Sequence, residues 1–306
     1  MLDLRRLDVL RHFALLGSIT ATAAELGYSA SAVSQQLATL EKEAGIALLE
    51  RTAQRATLTD AGHELAAHAV VVIGAVESAE SSMRARIGVV AGRVDVSCIP
   101  GLAAVLAPHL ADLQRVHPDL AVTAHEAGSI DAATDVLEGR TDLAVVDDWN
   151  DRPAAAGTGL TVHQLRREPI ALAVPADHPQ ATGTAPVTVA VLRRITATET
   201  WLCAPQGHLS RSAGDARLAE SDIIPARRWE FEGLHVLAAV VAAGAGVALL
   251  PSSVIADRPG VLGRRLRPRM QRRVIALTRT SRQQDPALVA CLHAAQAALA
   301  PSPPNL

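Results

Sequence analysis

From Thr59 to Ile87 the chain carries no proline, and Leu65, Ala69, Val72, Val76, Ala79 and Met83 recur through it at alternating four- and three-residue spacings. That rhythm keeps one stripe of a helix apolar over nearly three heptads, the pattern of a coiled-coil seam. A helix this long can hardly bury its stripe against a domain of about sixty residues, so a second copy of the chain is the expected partner. Packing on the chain's own C-terminal domain is the alternative. The segment also divides the 306 residues into a small and a larger part, as suits two domains.

Before it, three short helices are expected. Leu7, Leu10, Phe13 and Leu16 give the first an apolar face ending near Gly17. The second runs from about Thr20 to Leu26 and stops at Gly27, the residue type that takes a left-handed turn without strain. Ser29 is a cap for the third, whose buried face is Val33, Leu37, Leu40 and Ala44. Two short helices joined by a glycine turn form a helix-turn-helix, whose second helix enters the DNA major groove. Its outer face then carries Ser31, Ser34, Gln35 and Ala38, with Gln36 beside them. Short uncharged side chains allow close approach to base edges, and Gln35 can pair bidentately with adenine. A solvated face on an ordinary three-helix bundle accounts for the spacing equally well. Leu48 to Leu58 suits a small hairpin wing carrying Arg51 and Arg55, with Arg55 at a tip placed for phosphate contact or simply solvated.

Beyond Gly92 the period changes. Strand, helix, strand, helix and strand follow over Arg93–Cys98, Leu102–Val116, Leu120–His125, Asp131–Glu138 and Leu143–Val146, which is parallel-sheet order. A second such region opens with Ile170–Val174 and closes with the helix Leu234–Ala243 and the strand Val247–Leu250. Two βα halves predict a ligand crevice at the strand carboxyl ends. Aromatic residues make up only 2% of a chain that is 49% hydrophobic, so the core is Ala, Val and Leu, suited to helices and parallel strands.

Charge offers no support for nucleic-acid binding: the net charge is −2, and residues 1 to 60 carry six basic against seven acidic side chains. The run from Ser29 to Gly62, SASAVSQQLATLEKEAGIALLERTAQRATLTDAG, nevertheless closely resembles the helix-turn-helix signature of LysR-type transcriptional regulators. Shared features include Val33-Ser34, Leu40-Glu41, Gly45, Leu48, Arg51, Leu58-Thr59 and Ala61-Gly62. Further likeness lies in LEGRTDLAVV (Leu137–Val146), ALAVPADHP (Ala171–Pro179) and VVAAGAGVALLP (Val240–Pro251). The resemblance implies an α/β chain in three parts. Residues 1–60 form a winged helix-turn-helix and 61–92 a linker and dimerisation helix with hinge. Residues 93–300 form a periplasmic-binding-protein-like effector domain, with subdomain I at 93–163 and 266–300 and subdomain II at 164–265. It further implies a homodimer or homotetramer on double-stranded promoter DNA, with a small-molecule effector in the cleft and RNA polymerase as a further possible partner. Departures are Leu49 where the family usually has Phe, Ala30 where many members have Gln, and a less basic wing tip at Ala53-Gln54-Arg55.

For the effector, the turn Ser97-Cys98-Ile99-Pro100-Gly101 links a strand end to a helix N-terminus, whose free N–H groups favour an anion. Gly128 and Ser129 stand at the next strand end, and the resemblance places Trp201, Cys203, Gln206 and His208 across the cleft. A small polar or anionic metabolite is therefore expected, and no cofactor. Ser97 and Ser129 as plain helix caps are the alternative. Cys98 and Cys203 as a redox pair would make the chain an oxidant sensor, although neither has a basic neighbour in sequence to lower its pKa. The Arg264, Arg265, Arg267, Arg269, Arg272 and Arg273 cluster reads as a solvated or interface segment. A cytoplasmic solute-binding protein or an enzyme with an accessory helical domain is the competing class. No His-x-x-x-His pair, Gly-x-Ser-x-Gly or phosphate loop supports an enzyme. With three widely spaced cysteines, no signal pattern, and Val236–Leu250 falling short of the ~20 apolar residues of a membrane helix, a cytoplasmic protein without membrane contact is expected.

Overall fold

The computed structural model describes residues 1–51, 56–149 and 159–300. They fall into two compact units, one of Met1–Gly88 with Thr280–Asp285, the other of Val89–Arg279 with the chain from Pro286 onward.

The first unit contains α1 (Leu4–Leu16), α2 (Ile19–Leu26), α3 (Ala30–Ala44), the two-stranded hairpin β1 (Leu49–Arg51) and β2 (Ala56–Leu58), and α4 (Asp60–Ile87). Each helix opens on an oxygen side chain that takes up orphan N–H groups: Asp3, Ser18, Ser29 and Thr59 in turn. Each also closes on a glycine, and at Gly27 the φ of 68° shows why glycine is needed in a turn this tight. Leu7, Leu10, Phe13, Val33, Leu37, Leu40 and Leu48 form one apolar core. Glu41 locks the wing to it: one Oε1 accepts the backbone N–H groups of Leu48 and Leu49, both at 2.9 Å. Thr59 adds to the joint by donating its hydroxyl to Ala47 O and its amide to Leu48 O. A Cβ on Gly62 would run into the Leu48 carbonyl, so only glycine lets α4 start so close to the wing.

The apolar stripe of α4 serves two surfaces. Ala69 is fully buried in the unit's own core and Leu65 packs against that core, so Ala69 is unavailable to a partner. The physical reason is that the first turns of α4 lie against α1 as a further helix of the winged domain. Past them Val72, Val76, Ala79 and Met83 are exposed, Met83 by 54%. At the far end the segment Thr280–Asp285 sits on the helix. Ser281 donates to Glu77 at 2.7 Å, and buried Asp285 pairs with Arg84 at 3.0 Å and Arg282 at 2.9 Å.

The second unit runs β3 (Gly92–Cys98), α5 (Ala103–Val116), β4 (Leu120–Glu126), α6 (Ala132–Glu138), β5 (Leu143–Asp148), β6 (Leu160–Pro175), α7 (Val189–Thr198), β7 (Thr200–Cys203), α8 (Leu209–Ala219), β8 (Arg227–Glu230), α9 (Leu234–Ala242), β9 (Val247–Pro251), α10 (Ser252–Ala256), β10 (Val261–Arg279) and α11 (Pro286–Ala298). The strands make one eight-stranded sheet, β4-β3-β5-β10-β6-β9-β7-β8. Its flanks are parallel, as the βα order requires: β3 pairs with β4 and β5, and β7 with β8 and β9. The middle is antiparallel, because β6 and β10 are long enough to pair with each other and with strands of both halves. Part of β10 is the arginine-rich segment read as solvated or at an interface. In a strand, side chains alternate faces. Arg265, Arg267 and Arg269 are accordingly exposed, whereas Arg264 and Arg272 are buried, Arg272 to 3%.

Glu41→Ala should cost the first unit about 1–3 kcal/mol, because two buried amides lose their shared acceptor, while Glu41→Gln keeps an acceptor and costs less. Urea unfolding of the two variants checks the order.

Candidate functional site

Two surfaces concentrate functional chemistry. The first is α3, which Val33, Leu37 and Leu40 anchor while Ser31 and Gln35 are exposed and Ser34 and Ala38 half-exposed. No charged side chain lies on that face for its first three turns, so a backbone can approach closely. Ser31 bonds the Ser29 hydroxyl at 2.9 Å, and Thr39 turns its hydroxyl back to Gln35 O. Gln36 belongs elsewhere: its Oε1 accepts from Arg6 Nε at 3.1 Å, and Arg6 also pairs with Glu43. It ties α3 to α1, because one residue round the helix from Gln35 points toward the neighbouring helix rather than outward. Tyr28, the chain's only tyrosine, is half-exposed in the turn before α3 and was not singled out from sequence. Arg51 lies in β1, opposite Ala56, and Arg55 lies outside the described residues.

The second surface is a cavity of about 480 Å³ in the second unit. One wall is the end of β4 and the start of α6, with Glu126, Gly128, Ser129 and Asp131; the other is the starts of α8 and α9, with Gln206, His208, Ser210 and Glu232. Of the expected effector residues, Ser129 and His208 line it. Ser97, Cys98, Gly101 and Cys203 do not. Ser97 is 1% exposed, inside the sheet between His125 and Ala144, and Cys98 packs into the apolar core beside Val96. The turn after them is closed as an anion site. Ile99 N–H is taken by Val145 O, Pro100 has none, and His235 covers Gly101, 2.8 Å from where a Cβ would stand.

Both cysteines are buried free thiols. Burial, aided by Glu126, pushes the Cys98 thiol up to about 11. Burial also raises Cys203, outweighing Arg211, whose Nη1 lies 3.3 Å from the sulfur. Both environments thus disfavour the thiolate that oxidant sensing needs.

Asp147, at the end of β5, is the part of the cleft that sequence reading passed over. Ser129 donates to its Oδ1 at 2.9 Å and Trp149 Nε1 to its Oδ2 at 2.6 Å. Arg272 reaches Oδ2 at 3.2 Å, bonds Glu168 through Nε at 2.9 Å and stacks 5.6 Å from the centre of the Trp149 ring. Glu168 also accepts from Ser253 N–H at 3.0 Å. Burial alone would raise the Glu168 carboxyl, but Arg272 and the Ser253 bonds outweigh it and hold it below the ordinary glutamate value. A carboxylate directly after an apolar strand, at its carboxyl end, was the available signal.

Neither α8 nor α9 has a side-chain cap, and Leu209, Ser210 and Leu234 of their first turns line the cavity. Among the described residues no cluster of three or more His, Cys, Asp or Glu is arranged to hold a metal, and no helix is long and apolar enough to cross a membrane.

Residues 4–63 match the family model described as bacterial regulatory helix-turn-helix protein, lysR family, and residues 88–300 match the LysR substrate binding domain. The nitrogen assimilation regulatory protein of Klebsiella aerogenes is 30% identical over 260 residues, spanning 82% of this chain and 79% of its own. The DNA-binding transcriptional dual regulator OxyR of Escherichia coli is 28% identical over 224 residues, spanning 73% and 70%. Among solved structures, full-length OxyR from Pseudomonas aeruginosa superposes with a TM-score of 0.68 at 22% identity, over 100% of this chain and 99% of that one. Full-length BenM gives 0.54 at 21%, over 99% and 100%. At these identities the two structures speak for the fold.

Arg272→Met should destabilise the second unit by about 3–5 kcal/mol at neutral pH, because two carboxylates are left without their buried cation. Since the folded Glu168 carboxyl is held low, its stabilisation is full above the unfolded-state value and fades as pH falls through the folded one. The variant keeps only the Ser253 donors, and its Glu168, without the guanidinium, takes a proton more readily. The stability gap measured by urea unfolding should therefore narrow on acidification toward about pH 4.

Proposed function

The chain belongs to the LysR family of DNA-binding, effector-responsive transcription regulators, which are not enzymes, and on that premise we propose how its residues divide the work. Helix α3 lies in the major groove and reads bases through Ser31, Ser34 and Gln35. Arg51 and Arg55 of the wing contact phosphates, and Tyr28 is a further backbone contact. The observation that carries this reading is the uncharged, short-chained outer face of α3, opposite a fully buried inner one. The exposed stripe Val72, Val76, Ala79 and Met83 pairs α4 with a second copy, in keeping with the oligomers that LysR regulators form. A small-molecule effector in the 480 Å³ cavity modulates how the promoter is bent, with no resident cofactor. RNA polymerase is the partner at the promoter, and the compartment is the cytoplasm.

Ser34→Ala and Gln35→Ala should each weaken binding to the cognate promoter by about 1–3 kcal/mol and leave random duplex almost unaffected. Fluorescence anisotropy on both DNAs measures this; equal losses on the two would refute base reading. Val76→Asp should abolish dimerisation in sedimentation velocity, because a charge enters an apolar seam with nothing to pair it. A variant that stays dimeric places the seam elsewhere.

A further inference from the structure

We propose that Lys42 is a phosphate contact at the far end of the recognition helix, its ammonium set on the duplex backbone where that helix leaves the major groove. This rests on the reading of α3 as the helix that enters the groove, and it assigns a residue outside the base-reading set.

Lys42 is exposed in the last turn of α3, is the only basic residue of that helix and is the only lysine of the chain. At about 100° per residue, the side chains of Ser31, Gln35, Ala38 and Lys42 leave the helix within an arc of about 60°. Val33, Leu37 and Leu40 fill the opposite, buried face. The outer stripe is thus uncharged from its start and ends on a single cation. The rise from Gln35 to Lys42 is about 10 Å, close to the width of roughly 12 Å of the major groove. A helix that meets base edges with serine and glutamine brings a residue at that distance to the rim of the groove, where the phosphates stand.

Nothing within the unit neutralises this charge. Its two acidic neighbours are committed elsewhere. Glu41 accepts the amides of Leu48 and Leu49 at 2.9 Å, and Glu43 pairs with Arg6 and accepts Asp3 N–H at 3.4 Å. The residues three and four positions away, Ala38, Thr39, Gly45 and Ile46, offer no carboxylate. Among the described residues Lys42 accordingly has neither an ion pair nor a hydrogen bond, whereas Arg6 and Arg11 are held by Glu43 and Asp8. The end of the helix does not take up the ammonium either, because Gly45 N–H closes on Glu41 O at 2.9 Å and Lys42 bonds no terminal carbonyl. The helix dipole favours a cation anywhere in the last turn. It does not require one on the stripe that faces the bases.

The test uses the full-length chain with two DNAs, a short random-sequence duplex and a duplex that the chain itself selects from a random library. Lys42→Gln should bind both more weakly. The ratio of wild-type to variant affinity should fall about 3.5-fold from about 50 to about 200 mM salt, the share of one phosphate contact. Lys42→Arg should restore the wild-type salt dependence. A merely structural role, through the helix dipole, would weaken binding by one factor at every salt and leave the slope unmoved. Because the chain has one ε-amine, acylation by an N-hydroxysuccinimide ester reads the same contact directly. Bound duplex should slow it severalfold relative to a lysine-containing reference peptide in the same tube. An unchanged salt slope for Lys42→Gln, or acylation as fast on the duplex as off it, overturns the proposal. Gln35→Ala is measured alongside. If it loses preference for the selected duplex while Lys42→Gln behaves as wild type, only the Lys42 assignment falls; if neither variant alters binding, the placement of α3 in the groove falls with it.

Discussion

The antiparallel pairing of β6 with β10 is the constraint on which the effector unit depends. Each strand alone is too long for one half of a βα domain, and each therefore runs through both, so the parallel flanks share a single hydrogen-bonded spine. A sheet that reverses direction at its centre has its strand ends, and hence its ligand crevice, beside that spine. Asp147 stands at this position, and Arg272 reaches it from β10 while also holding Glu168 on β6. The charged floor of the cleft and the backbone spine are thus one construction.

Such a trio is no simple source of stability. Burying one guanidinium and two carboxylates costs desolvation that their attraction offsets only with good geometry, and an apolar replacement of the whole set is often neutral or better. What the trio supplies is a fixed negative charge at a chosen place. Glu168, with Ser253 and Arg272 as donors, carries the structural share, and Asp147 presents its remaining face to the cavity. The same economy appears in the DNA-binding unit, where Glu41 joins helix to wing by accepting hydrogen bonds from two backbone amides and Arg6 is shared between Gln36 and Glu43.

The N-terminal unit was legible because its signals are local. Caps at Ser18, Ser29 and Thr59 and glycines at 17, 27, 45 and 88 mark helix ends through bonds made within four residues. Ala69 was assigned to the wrong surface for a reason of another kind: heptad spacing shows that a stripe is buried and not by what, and α4 meets α1 first. In the effector unit the parallel strands were readable and β10 was not, since its arginine-rich part mixes buried Arg264 and Arg272 with exposed Arg265, Arg267 and Arg269, and the burial pattern follows no single period. The cleft was half legible. Position at a strand end gave Ser129, and the same rule misplaced Ser97 and Cys98, which lie in the sheet just before Ile99, where the lining begins. Asp147 was missed because its importance comes from Arg272, far along the chain, a pairing no local pattern announces.

Charge explains why oligomer formation and DNA binding belong together in this chain. A net charge of −2 gives no long-range attraction to a polyanion. Within the winged unit the basic side chains are further reduced as free charges, for Arg6 is paired with Glu43 and Arg11 with Asp8 at 2.7 Å. On the proposed reading, a single recognition helix with serine and glutamine on its face brings specificity with little electrostatic affinity. The proposed linking of two such units through α4 changes the arithmetic, because once one half-site is engaged the second binds at the high effective concentration of a tethered partner. On the proposed pairing of α4 with a second copy, the exposed apolar residues from Val72 to Met83 contribute to DNA affinity alongside α3, although they lie outside that helix.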